Sequence, residues 1–454
     1  MATPETIVAT STPPGQGGVG MVRMSGPQSV RIGRRVFRSR RPLGRRARYV
    51  EYGFVLDERG KEIDTGLAWV LKAPRSYTGE DMVEITCHGS NLVMETLVRA
   101  AIARGAALAS PGEFTRRAFL NGRLDLIQAE AVIDLIQAGG RFGLENAYGQ
   151  ASGRLSRMME QLKSHIVKGL SLIEVGLDFA EEDIEDIEAI ESPIVLAEID
   201  EGQRLALGLV DTFEGSRRRQ DGFSVIITGR PNAGKSTLFN ALLGEDRAIV
   251  TPVPGTTRDL VEGQVSWRGE RFRLIDTAGL TESADPIERE GIQRARKSID
   301  AADFVVAVFD ASKTWEKEDF AVLEVLRRKV GVAVCNKTDL PRSLVLPPGE
   351  PSFFIAVSAL AEKGLEELRE YIIENLPRVT LAEGMGITRE RHRDGLAQVL
   401  LHLGSAREML LSREGAECIA VELQEALRGV GEILGENISE EVLDRIFSEF
   451  CIGK

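Results

Sequence analysis

The chain has 454 residues, 43% of them hydrophobic and 28% charged, and a formal net charge of −12. That length exceeds one ordinary hydrophobic core and predicts two or three globular domains, while the acidic balance argues against a protein that coats nucleic acid indiscriminately. No apolar run reaches the length of a membrane span, and the opening MATPETIVATSTPPG lacks the basic and apolar regions of a secretion signal. Cys87, Cys335, Cys418 and Cys451 show neither CxxC nor metal-ligand spacing and read as thiols of a reducing compartment. A cytoplasmic protein with no membrane partner is therefore expected.

The first ~120 residues read as α+β. Ile7–Thr10 and Val19–Met24 alternate as strands do, Val50–Leu56 and Gly66–Lys72 flank a turn at Glu58-Arg59-Gly60, and Asn91–Arg104 has helical spacing with Gly105 to stop it. Gly15-Gln16-Gly17-Gly18-Val19-Gly20 satisfies the G-x-G-x-x-G pattern, but a strand follows where that motif needs a helix, so it reads as a flexible loop. Between Arg31 and Arg48 lie nine arginines and no acid. They read either as a solvated loop or as a contact for an anionic partner such as RNA phosphates.

From Leu124 to about Phe213 the pattern is helical: Leu124, Ile127, Ala131 and Leu135 share a face, as do Leu162, Ile166, Leu170, Ile173 and Leu177. The acidic stretch Glu181–Asp186 reads as a linker or helix start, with metal binding as the other option. Strands and helices then alternate from Phe223 to Leu376, and after Pro377 the chain is helical again. Each helical stretch is too thin to bury its own apolar face, so the two are expected to pair into one discontinuous bundle with an α/β domain inserted between them. The expected fold class is thus α/β and α. Its domains are an N-terminal α+β domain (1–122), a first helical part (123–217), an inserted Ras-like P-loop GTPase domain (218–377) and a second helical part (378–454).

The insert carries chemistry. The apolar run Phe223–Thr228 feeds Gly229-Arg230-Pro231-Asn232-Ala233-Gly234-Lys235-Ser236, and a helix from Thr237 follows. Glycines there let backbone N–H groups converge on phosphate, Lys235 reaches the β- and γ-phosphates, and the Ser236 hydroxyl suits Mg²⁺. Gly255-Thr256-Thr257-Arg258-Asp259 offers a hydroxyl to the same metal, and Asp276-Thr277-Ala278-Gly279 stands at a strand end facing metal water and γ-phosphate. Asn336-Lys337-Thr338-Asp339 supplies a carboxylate that accepts from guanine N1–H and N2–H₂, a pair adenine lacks, and the Ser358-Ala359-Leu360 backbone meets the guanine O6. The substrate is GTP. Leu280 stands where Ras-like enzymes orient water with glutamine, so another group must act, with Asn232 and Glu288 as candidates. Taken alone, Glu288 reads better as a surface helix carboxylate.

Together with these motifs, the domain order and the terminal Phe450-Cys451-Ile452-Gly453-Lys454 resemble the MnmE (TrmE) family of tRNA-modification GTPases along essentially the whole chain. The resemblance implies a homodimer joined through a folate-binding-like N-terminal domain. It also implies an FAD-containing partner, MnmG (GidA), in a heterotetramer that adds an aminomethyl or carboxymethylaminomethyl group to C5 of the wobble uridine of certain tRNAs. Reduced folate would be contacted by Arg23, Glu80, Arg123 (where the family often has lysine) and Lys454. One K⁺ per subunit would be held by Asn232, Thr251, Val253 and Thr256, and Mg²⁺ by Ser236 and Thr257. GTP contacts extend to Thr237 and to Thr251, Pro252, Val253 and Pro254, and Glu288 would promote hydrolysis. Cys451 reads alone as a packed helix-end thiol and, through the resemblance, as a functional one. A regulatory rRNA-binding GTPase of the Era or EngA type is the alternative; it predicts an appended RNA-binding module, whereas the chain after Pro377 reads as amphipathic helix.

Overall fold

Period-2 alternation of apolar side chains over the first ninety residues produces a sheet with one covered face. In the computed structural model, which describes residues 5–45, 48–179, 185–244, 261–276, 298–344, 354–376 and 385–454, seven strands form this sheet. They are β1 (Ile7–Thr10), β2 (Gly17–Ser25), β3 (Phe37–Ser39), β4 (Glu51–Leu56), β5 (Glu62–Leu71), β6 (Met82–Gly89) and β7 (Ala107–Leu108), in the order β3-β4-β5-β6-β2-β1-β7. All neighbours are antiparallel except β1 and β7. Val22, Met24, Val83 and Ile85 point into a core closed by Ile32 and Val36 of α1 (Ser29–Val36) and Met94 and Leu97 of α2 (Asn91–Ile102).

Two expectations give way to the observed structure. The glycine-rich stretch is not a loop throughout: β2 begins at Gly17, which pairs with Gly89. The arginine run is not all loop either, because α1 and β3 carry its first half. Burial of Ser29, Ile32, Gly33 and Val36 at helical spacing overrides the polar composition there.

The described residues divide into two units. One comprises Met1–Ile136, Tyr148–Ala206 and Asp394–Lys454, and the other Gln137–Ala147 and Leu207–Arg393. In the first, the sheet is joined by α3 (Glu113–Leu120), most of α4 (Leu126–Gln137), α6 (Arg154–Phe179), most of α7 (Glu185–Val210) and of α12 (Glu390–Leu411), α13 (Ala416–Leu434) and α14 (Glu440–Ser448); α4, α5 (Arg141–Ala151), α7 and α12 each run across a division point. The early and late helices bury each other. α6 packs along α13, and Gly202 of α7 faces Leu162 of α6 and Leu403 of α12, each within 3.5 Å of where a Cβ would stand. Leu126, Ala129 and Ile133 of α4 meet Leu443, Ile446 and Phe447 of α14. Lys163 with Glu436 (2.6 Å) and Arg407 with Asp200 (2.6 Å) add partly exposed ion pairs between the two stretches, each worth less than about 1 kcal/mol.

After α14, whose start is capped by Ser439, the chain end docks on the sheet domain. Ile452 bridges Pro111, the Phe114 N–H donates to the Lys454 carbonyl (3.1 Å), and the Ser11 hydroxyl donates to the Gly453 carbonyl (3.0 Å). Gly453 has φ +95°, and a Cβ there would lie 2.0 Å from the Thr10 carbonyl oxygen, so only glycine fits.

In the second unit, a six-stranded sheet has the order β13-β12-β11-β8-β10-β9. Its strands are β8 (Phe223–Gly229), β9 (Val261–Trp267), β10 (Glu270–Asp276), β11 (Phe304–Asp310), β12 (Gly331–Asn336) and β13 (Phe354–Ala356). Only β9 runs antiparallel to its neighbour. Every residue of β11 is buried, as expected for a strand covered on both faces. Leu238 and Leu242 of α9 (Lys235–Leu243) and Leu365, Leu368 and Ile372 of α11 (Leu365–Glu374) cover one face. Leu323, Val325 and Leu326 of α10 (Lys317–Arg328) cover the other. Phe213, at the start of α8 (Phe213–Asp221), is buried in this unit. Among the described residues, no helix is long and apolar enough to cross a membrane.

Candidate functional site

The carboxyl ends of parallel strands are where an open α/β sheet leaves a crevice for ligands. At the end of β8 the chain turns through residues 229–236 into α9. Asn232 (φ +63°) and Gly234 (φ +92°) adopt the left-handed region, which turns successive N–H groups inward. At Gly234 a Cβ would stand 2.3 Å from Asn336 Nδ2, so the loop is held against the neighbouring motif too closely for any side chain. Lys235 opens α9 with its side chain buried, and its ammonium donates to the Arg230 carbonyl at 2.8 Å. Burial lowers the Lys235 pKa, and the charge of buried Asp276 works against that. The ammonium is thus poorly hydrated and suited to phosphate oxygens.

The motif expected to meet the base is built from β12 and the segment after β13. Asn336 is buried and crosslinks two loops: its Nδ2 donates to the Ala233 carbonyl (3.0 Å) and its Oδ1 accepts from the Ala359 N–H (3.0 Å). Lys337 (φ +63°) donates to the Asn232 carbonyl (2.7 Å) and to Asp310 Oδ2 (2.6 Å). Burial works to raise the Asp310 pKa, but hydrogen bonds from Lys337 and Ser312 prevail and hold it below the usual value. Asp339 accepts from the Ser358 hydroxyl at 2.5 Å, which holds its carboxyl below the usual carboxylate range while leaving it open to solvent. Leu360, two residues after Ser358, is exposed. Asp310 had no place among the sequence candidates; an acid closing the run FVVAVFD was its only signal.

The described part of the expected cation donor set is the Ser236 hydroxyl in the first turn of α9 and the Asn232 side chain on the loop before it, both exposed. Neutral oxygen donors of this kind suit hard cations. Thr251, Pro252, Val253, Pro254, Gly255, Thr256, Thr257, Thr277, Ala278, Gly279, Leu280 and Glu288 lie outside the described residues, as does the core of the acidic stretch at 180–184. Among the described residues no group of His, Cys, Asp and Glu is arranged to hold a metal.

A second polar cluster sits on the sheet of the first unit. Cross-strand register aligns Arg23 with Glu84 and Glu84 with Trp69. Arg23 pairs with Glu84 at 2.8 Å, and Trp69 Nε1 donates to the other Glu84 oxygen at 2.9 Å. The Arg23 guanidinium lies 5.8 Å from the Tyr77 ring and 5.6 Å from the Phe114 ring, and donates weakly to the Gly453 carbonyl (3.4 Å). Its Nε is buried without a hydrogen-bond partner. Burial, then the Arg23 charge, lowers the Lys454 pKa, so tail docking brings two cations together. Glu80 accepts from the Ser25 hydroxyl (2.7 Å) and from Arg117 (3.1 Å). Arg123 lies against Gly79, 3.3 Å from where a Cβ would stand. Cys451 is exposed, which corrects the packed-thiol reading. Adjacent cations, an unsatisfied Nε and a nearby carboxylate fit a ligand that is anionic at one end and an amide or amidine at the other. Trp69 and Glu84 escaped the sequence reading because only strand register brings them to Arg23, and Tyr77, Phe114 and Arg117 because only the packing of α3 and of the segment before β6 against the sheet does so.

Comparison with known proteins bears on the whole chain. Residues 126–451 match the model described as MnmE helical domain, and residues 6–123 match GTP-binding protein TrmE N-terminus. A tRNA modification GTPase MnmE of Syntrophotalea carbinolica is 40% identical, covering 100% of both chains. One of Geobacter sulfurreducens is 41% identical over 99% of both. A solved structure of an Aquifex aeolicus Era variant bound to GDP and AlF4⁻ is 28% identical, covers 40% of this chain and 66% of that one, and has a TM-score of 0.29, an overlap too partial to bear on the fold.

If Asp339 is the guanine acceptor that the sequence predicts, Asp339→Asn weakens GTP by about tenfold or more and improves binding of xanthine nucleotides. Removing the Ser358 hydroxyl raises the Asp339 pKa, so in Ser358→Ala the acid loss of GTP binding sets in at higher pH than in wild type. Nucleotide titrations across pH check both, and unchanged GTP affinity in Asp339→Asn contradicts the assignment.

Proposed function

This chain belongs to the MnmE (TrmE) family of tRNA modification GTPases, and from that premise we propose that it hydrolyses GTP within a complex modifying C5 of the tRNA wobble uridine. In this reading it is a cytoplasmic homodimer. An FAD-containing MnmG partner completes a heterotetramer, and a reduced folate supplies the one-carbon unit of an aminomethyl or carboxymethylaminomethyl group. The observation that supports it most is the docked tail: a chain with a guanine-type pocket also brings Lys454 beside Arg23, next to the loop bearing Glu80. The Era or EngA alternative has less support, because relatives alike over the full length carry the tRNA-modification name.

In the nucleotide site, Asp339 selects guanine, Asn336 ties the base loop to the phosphate loop, and Lys235 holds the β- and γ-phosphates. Ser236 and Thr257 would hold Mg²⁺, and Asn232 with Thr251, Val253 and Thr256 would hold K⁺. When bound, these cations supply positive charge against the charge that develops on the phosphoryl group. Leu280 has no polar group with which to orient the attacking water, and the resemblance to the family assigns that role to Glu288. At the sheet site, Arg23, Arg123 and Lys454 take the anionic parts of folate and Glu80 its ring donors, with Cys451 exposed nearby as a functional thiol.

GTP turnover is expected to rise strongly in K⁺ and not in Na⁺, with the G domains dimerising on a transition-state analogue. Asn232→Ala should lose the K⁺ response while still binding nucleotide, and Glu288→Ala should lose hydrolysis. Equal rates in K⁺ and Na⁺ contradict the cation assignment, and full activity of Glu288→Ala contradicts the glutamate's role.

For the sheet site, Arg23→Ala and Gly453→Ala should each weaken reduced-folate binding by about tenfold or more and leave GTP binding intact. Calorimetry that finds no folate binding to the wild type removes this part of the reading.

A further inference from the structure

We propose that the arginine-rich surface running from α1 to the start of β4 is the docking face for the phosphate backbone of the RNA substrate. The identity of that RNA as tRNA rests on the function proposed above; the surface itself rests on the exposure, charge and ring contacts of its own side chains.

Helix α1 buries Ser29, Ile32, Gly33 and Val36 against the sheet, so tightly at Gly33 that a Cβ would lie 3.0 Å from Val83 Cγ1. Helical spacing then forces Arg31, Arg34 and Arg35 outward, and all three are exposed. The chain continues the same charge through exposed Arg38, Arg40, Arg41, Arg45 and Arg48. Nine of the 57 cationic side chains of a protein with net charge −12 therefore fall between Arg31 and Arg48, with no acid among them. Among the described residues only Arg38 of this run pairs with a carboxylate, that of Glu62. Arg34 and Arg48 instead donate to the carbonyls of Leu43 (2.6 Å) and Arg75 (3.1 Å), which orders two of the side chains without neutralising them. A local positive field on an acidic protein focuses a polyanion on one place.

Two features favour RNA over a lipid surface. A membrane-binding amphipathic helix must offer its apolar face to the bilayer, and the apolar face of α1 is spent on the core. Beside the arginines, Tyr49 and Tyr52 are 46% and 63% exposed, and the Arg38 guanidinium sits 5.7 Å from the half-exposed Phe54 ring. Guanidinium forks for phosphate interleaved with open aromatic rings for unpaired bases match single-stranded or looped RNA.

The test uses the full chain and an unmodified tRNA transcript, with binding measured over a series of salt concentrations. The quadruple variant R31Q/R35Q/R40Q/R41Q avoids the two arginines that hold carbonyls. It should bind tRNA roughly tenfold or more weakly, with a salt slope shallower by about 2–4, and hydrolyse GTP as the wild type does. The lysine counterpart at the same four positions should keep most of the affinity. Equal binding and slope in wild type and glutamine variant overturn the proposal. So does a lysine variant as weak as the glutamine one, because a structural defect rather than lost charge is then being read. A variant that loses binding only to phosphatidylcholine–phosphatidylserine vesicles, with tRNA binding intact, overturns it in favour of a membrane. Failure of the surface leaves tRNA modification by the wild type untouched; a wild type that binds RNA through these arginines but modifies none sinks the functional reading and leaves the surface.

Discussion

The last five residues are anchored to the first strand and to the start of α3, and that closure governs the first unit. Phe450 is buried, Ile452 bridges Pro111, Gly453 fits against Thr10 with no room for a side chain, and Phe114 holds the Lys454 carbonyl. A chain whose end is tied to its beginning must return from every excursion. The late helices α12–α14 therefore come back to the early helices α4, α6 and α7, and the two stretches supply each other with an apolar face that neither has alone. The same closure carries a cation to Arg23, so an element of the fold is also an element of the polar cluster on the sheet.

The nucleotide unit depends on a smaller constraint of the same kind. Asn336 and Lys337 each hold the phosphate loop by a carbonyl, and Asn336 also holds the segment after β13. The loop before α9, the Asn336–Lys337 pair and the segment after β13 are thereby one hydrogen-bonded assembly rather than separate loops. Asp310, at the end of a fully buried strand, keeps the Lys337 ammonium in place. Asn336 and Asp310 are buried, where a polar group left unpaired is costly, and their partners come from neighbouring strands and loops at the carboxyl edge of the sheet.

Local spacing carries its meaning on its face. The phosphate loop, Asn336–Asp339 and the apolar strands Phe223–Gly229 and Phe304–Asp310 were legible because glycines, charges and continuous apolar runs speak for themselves over a few residues. Whatever depends on register or on distant burial was not. Arg23, Glu84 and Trp69 are far apart in sequence and meet only because β2, β6 and β5 pair as they do. Helix α1 looks like loop in the sequence because its few apolar residues stand among arginines, and only contact with the sheet makes Ile32 and Val36 decisive. Gly17 looks like loop because glycine favours no regular element, yet β6 is there to pair with it. The exposure of Cys451 follows from the docked tail, a contact between chain ends that no local pattern encodes.

A tRNA-modifying GTPase must leave its mark on RNA. The most direct measurement is mass spectrometry of wobble uridines in tRNA from cells lacking this protein, with and without the gene restored as wild type or as Asp339→Asn. Wild type should restore the C5-modified uridine, and Asp339→Asn should restore little of it. Wobble uridines modified to the same extent in all of these cells would contradict the account.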